Sequence, residues 1–197
     1  MLHSTEFGFT KRDGTSSSPI RDEFNVEDVH NFRPEAISRI KEFVQSPAIR
    51  GNEIDAIDIL YKIGANIPGN NKDILDAYKA AVNNPVTDSI TLGYAVHRTA
   101  FLLPRKEGEE ACKNFTKDAL DVFAAVADPQ NKYKHNEDTL IDFYHAIMSF
   151  ASYDHKRVTE LVNKMKESDK NTYKSLAMAG RALLAATKIK AGDNQRV

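Results

Sequence analysis

From residue 34 onward, apolar residues recur every three or four positions, and the two-residue alternation of a strand is absent. Pro34, a favoured first helical residue, opens a helix with Ile37, Ile40, Phe43 and Val44 on one face. Asn52 fits the cap of a second helix, which carries Ile54, Ile57, Leu60, Tyr61 and Ile63 up to Gly64. A third starts near Asn70 or Asn71 and shows Ile74, Leu75, Tyr78 and Val82. Thr87 or Asp88 begins a fourth, with Ile90, Leu92, Val96, Phe101, Leu102 and Leu103, and Pro104 closes it. Glu107, Glu109 and Glu110 put negative charge at the positive end of a fifth, which runs to Pro129. Asn136 caps a sixth, and a seventh begins near Asp154. The eighth starts near Asn171, carries Tyr173, Leu176, Ala177, Leu183, Leu184 and Ile189 as its apolar set, and stops at Gly192. A short helical turn through Val26 and Val29 precedes them all.

The pattern predicts an all-α fold of about eight amphipathic helices in antiparallel pairs. Every second start is separated by about 35 to 49 residues, a step close to that of paired-helix repeats. Two closures satisfy it equally: an irregular α-solenoid of the HEAT, armadillo or tetratricopeptide kind, or a multi-helix bundle. The ankyrin opening Thr-Pro-Leu-His is absent, and so is the tryptophan of the tetratricopeptide framework. Residues 32–197 read as one helical domain. Residues 1–31 read as a flexible arm, with Gly8, Gly14 and the polar run from Thr15 to Pro19. Phe7, Phe9 and Ile20 are its points of contact with the body or with a partner.

Composition narrows the function classes. One cysteine among 197 residues excludes an internal disulfide framework and a cysteine-based zinc cluster. No window holds the roughly 20 apolar residues of a membrane-spanning helix. The net charge of −1 does not suit a wholly basic nucleic-acid binder. Charge is nonetheless uneven. Residues 154–197 hold ten Lys or Arg against five Asp or Glu, whereas residues 52–77 hold two against five. Without a secretory leader pattern, the cytoplasm is the expected compartment, with an effector secreted into a host cell as the alternative.

Local catalytic signatures are missing. His-Glu-x-x-His, the phosphate-binding Gly-x-x-x-x-Gly-Lys-Ser/Thr, Gly-x-Ser-x-Gly and Gly-x-Gly-x-x-Gly do not occur. Three aspartate pairs lie three residues apart on helical faces: Asp55/Asp58, Asp73/Asp76 and Asp118/Asp121. Such pairs hold Mg²⁺ when two face each other, and a solvated face when they do not. Asp142 and His145 share a face of the sixth helix, with Glu137 and Asp138 a turn earlier, and form the candidate metal pair. His97 and Arg98 sit between Tyr94 and Phe101 in an apolar helix, a candidate partner contact or general base. Lys132, Tyr133 and Lys134 form a basic aromatic loop suited to an interface rim, and Lys156 and Arg157 open the basic C-terminal region. Cys112 follows acidic residues that blunt a thiolate, so it reads as a packed structural thiol.

These observations favour a protein–protein interaction module, a scaffold or adaptor that uses no cofactor and binds a protein partner, with self-association as a variant. The alternatives are an all-helical enzyme or metal protein using the Asp pairs, His97 or Asp142/His145, and a binder of nucleic acid or acidic lipid through residues 154–190.

Overall fold

The computed structural model describes residues 26–64 and 71–193, and among them every regular element is helical. Eight α-helices run in order: α1 Val26–Gln45, α2 Glu53–Gly64, α3 Asn71–Asn83, α4 Ser89–Phe101, α5 Glu109–Val126, α6 Glu137–Ile147, α7 His155–Lys166 and α8 Tyr173–Asp193. Short 3-10 turns join several of them, the longest being Pro129–Lys134. Residues 1–25, with Phe7, Phe9 and Ile20, lie outside the described residues, as does the candidate start at Asn70.

The helix starts follow from local chemistry. One device is used three times: an Asp or Asn side chain accepts the backbone N–H three residues on. Asp88 takes Thr91 N at 2.9 Å, Asn136 takes Thr139 N at 2.8 Å and Asp154 takes Arg157 N at 3.0 Å. At the start of α8, Thr172 N donates to Ser175 Oγ at 2.8 Å while Ser175 N donates to Thr172 Oγ1 at 3.2 Å, a reciprocal cap. Gly51 and Gly108, with φ of 86° and 97°, make the turns that enter α2 and α5.

One boundary differs from the sequence expectation. α1 begins at Val26, so the expected short turn and the helix expected from Pro34 are one element, and it takes in residues 26–31 of the expected arm. Proline's fixed φ suits a first turn, whereas inside a helix it removes one backbone hydrogen bond and its ring crowds the carbonyl four residues back, so Pro34 reads as a start although α1 runs through it.

The chain divides into two units, residues 1–36 and 37–197. Of the first, the described part is the opening of α1, with Pro34 and Glu35 exposed. In the second, packing runs mainly from each helix to the next but one. α4 on α6 is the most extensive contact, followed by α3 on α5, the α7–α8 hairpin, α6 on α8 and α2 against α4. The even-numbered helices thus make one row and α3 and α5 a second. Phe123 of α5 meets Phe143 of α6 and Phe150 edge-on, both with ring centroids at 5.4 Å, in the middle of the core. Tyr78, Phe123, Phe143, Tyr144 and Phe150 are all fully buried. The start of α6 is tied to that of α4: Thr139 Oγ1 donates to the Ser89 carbonyl at 2.7 Å, and Asn136 Nδ2 to Ser89 Oγ at 3.1 Å. That fixes the α4/α6 register on which the histidine groove described below depends.

Candidate functional site

Tyr94 and Arg98, one turn apart on α4, face α2. Asp58 accepts from Tyr94 OH at 2.9 Å and from Arg98 Nη2, and Arg98 Nη2 also donates to the Tyr94 oxygen. Lys62 reaches the other Asp58 oxygen at 2.7 Å. The Arg98 guanidinium lies over the rings of Tyr61 and Tyr94, at 4.5 and 4.8 Å from their centroids. The Lys62 hydrogen bond, with help from Tyr94 and Arg98, holds the Asp58 carboxyl below its usual range against the opposing effect of burial. Arg98 Nε is buried without a hydrogen-bond partner. The guanidinium is engaged inside the chain and joins α2 to α4.

The next seam along the row, α4 against α6, brings His97, Asp142 and His145 together. The residue on α4 that admits the carboxylate is Gly93: a Cβ there would lie 2.8 Å from Asp142 Oδ2. Burial raises the Asp142 pKa, and Asp138 adds to the rise, while His97 and His145 oppose it. Beyond them opens a groove of about 190 Å³ lined by His97, Phe101, Arg105, His145 and Ser149 over Ala100 and Ala146. Phe101 meets His97 edge-on at 4.8 Å and is 57% exposed. Among the described residues no hydrogen bond joins His97, Asp142, His145 and Ser149, so no base is set against the hydroxyl. Nor do any three His, Cys, Asp or Glu side chains form a group able to hold a metal ion.

The remaining candidates are distributed as ties. Lys72 and Lys79 of α3 face Asp118 and Asp121 of α5 at 3.8 Å, and Arg157 of α7 pairs with Asp121 while donating to the Lys117 carbonyl at 2.8 Å. Asp73 pairs with Lys41 at 3.2 Å, and Asp76 with Lys72. Five of the six paired aspartates therefore meet cations of this chain, and Asp55 is exposed. Lys134 donates to the Asn84 carbonyl at 3.2 Å. Lys132 pairs with Asp169 at 3.5 Å and lines, with Lys164, a groove of about 170 Å³. Tyr133 and Lys156 are exposed. Cys112 is buried and free.

His135, which ends the candidate contact loop begun at Lys132, is 2% exposed behind that second groove. Its Nε2 lies 2.8 Å from the Val126 carbonyl and so carries the proton, leaving Nδ1 as acceptor for Ser168 at 3.4 Å. Burial lowers its pKa, opposed by the Val126 bond and aided by Lys170.

The largest departure from expectation is α8. Its buried face is made of small residues, Ser175, Ala179, Ala182 and Ala186, which lets it approach α6 and α7 closely. Tyr173, Leu176 and Leu184, members of the expected apolar set, face out at 92%, 43% and 53% exposure. With Ala177, Gly180 and Thr187, also exposed, they form one stripe at helical spacing. The legible signal was an apolar set on both sides of one helix, large on one and small on the other.

Comparison with protein families, with curated proteins and with solved structures gives no match to this chain.

Proposed function

We propose that this protein is a protein–protein interaction module: an irregular α-solenoid whose helix α8 docks a segment of another protein. The carrying observation is the exposed apolar stripe of α8, with Tyr173, Leu176 and Leu184 at its core. An isolated exposed leucine needs no explanation, but a continuous stripe along one helix face marks a contact surface. The local catalytic motifs are absent, and the α4/α6 groove has no assembled nucleophile or metal set among the described residues. The buried free thiol suits a cytoplasmic setting.

The test compares the full chain with its Leu176→Glu/Leu184→Glu variant in affinity capture from native lysate with mass spectrometry. Both leucines are exposed, so the variant keeps the fold, verified by its melting curve. The reading expects a partner near stoichiometry with the wild type and its loss with the variant. The same proteins recovered with both, or none with either, would overturn it.

A further inference from the structure

We infer that the segment docking on α8 is an amphipathic helix with a row of acidic residues beside its apolar seam; this rests on the reading of α8 as the docking face. Beside the apolar stripe, Lys174, Arg181 and Lys188 are exposed and spaced seven residues apart. Seven residues is two turns, so the three cations form a straight row along one edge of the stripe. None has an ion-pair partner among the described residues. Residues 173–188 contain no Asp or Glu. A cation row beside an apolar seam is the pattern by which paired helices choose a partner of opposite charge.

The same pattern argues against a second copy. Two α8 helices pairing through this stripe would meet with no acid in either orientation, and an antiparallel pair would set the cation rows against each other. Shape adds a further requirement. Gly180 lies between Leu176 and Leu184, and a Cβ there would meet nothing within 4 Å. It leaves a notch in the stripe that admits a large apolar side chain of the partner. The stripe from Tyr173 to Thr187 is about 21 Å long, four turns of helix, which sets the matching length of the partner segment.

Two labelled synthetic helices test this by fluorescence anisotropy with the full chain. Both carry a leucine seam about four turns long; one has glutamates along the flank and the other lysines. The expected result is at least tenfold tighter binding of the glutamate helix at low salt, from three exposed ion pairs. That gap closes in about 1 M salt, where the screening length falls to about 3 Å. Arg181→Glu with Lys174→Glu reverses the preference. Gly180→Leu weakens binding while raising the melting temperature, because it fills the notch and favours the helix.

Equal affinity for the two helices, an unchanged preference after the charge reversal, or no binding of either would overturn the inference. A dimer in sedimentation that Leu184→Lys makes monomeric would assign the face to a second copy, and that too would overturn it. If the synthetic helices fail while the lysate partner is still lost from the leucine variant, the interaction reading stands and only the partner class falls.

Discussion

Arg98 shows why residue chemistry needs its neighbours. Its guanidinium bonds Asp58 and Tyr94 while lying over the rings of Tyr61 and Tyr94. Arg98→Ala is expected to lower stability by about 2 kcal/mol, the scale of a hydrogen bond to a charged group. Arg98→Lys should recover less than half of that, because an ammonium cannot do both; urea unfolding of the three proteins checks this. Asp142 behaves oppositely. Its folded pKa is raised, so the folded state binds the proton more tightly than the unfolded chain and the charged form is penalised above that pKa. Asp142→Asn should therefore raise the melting temperature at pH 8, and the gain should vanish as the pH falls towards the unfolded value near 3.8. Gly93→Ala should be unfavourable in the wild type, where the new Cβ meets the carboxylate, and favourable by up to about 1 kcal/mol in Asp142→Ala, where helix propensity remains. Additive effects of the two changes would contradict the close contact.

For the elements, the capping side chains were legible because they act within three residues. Asp88, Asn136 and Asp154 each cap the helix they were expected to begin. Asn136→Ala should lower stability by about 1–2 kcal/mol, since it removes a cap and also the bond to Ser89 that holds α6 in register on α4. Asp154→Ala, whose cap makes no such cross-link, should cost nearer 1 kcal/mol. Denaturant melts of both variants decide whether the tie between helices adds to the cap. Along α8 the elements mislead in a specific way. An apolar pattern reports that a face is apolar, not that it is covered, and Ala179, Ala182 and Ala186 took the covered side.

Across the whole molecule, pH acts through buried groups. His135 has a lowered folded pKa, so the unfolded chain takes up its proton first as pH falls below about 6.5. Its contribution is complete above that value and is lost as pH falls towards the folded pKa. Over that window global stability should drop by about 1.4 kcal/mol per pH unit for this one proton. In His135→Gln the slope should be shallower by that amount, whatever the variant's absolute stability; equal slopes would mean that the imidazole titrates alike in both states. The charges at the α3–α5–α7 surface act more weakly. Asp121, paired with Arg157 and Lys79, and Asp118, facing Lys72, are well exposed, and such pairs contribute at most about 1 kcal/mol each. They set which helices face one another more than how firmly they hold.

The sequence by itself determined the fold class and, from α2 onward, the helix count and the approximate helix starts, because each depends on contacts within about one turn: a cap, a proline, a stripe at 3.6-residue spacing. It also marked His97 and the Asp142/His145 pair of the α4/α6 seam, but as separate candidates on separate helices, and did not mark Gly93, Arg105 or Ser149. Their meeting depends on Gly93 and on the Thr139–Ser89 tie, contacts across about fifty residues that no local pattern encodes. Only the tertiary structure decided that Arg98, Arg157 and Lys134 bond within the chain, that four of the six paired aspartates meet cations of other helices, and that Leu176 and Leu184 of α8 face out. The physical reason is the same in each case. Periodicity says which residues share a face, while burial and pairing depend on what the rest of the chain places against it.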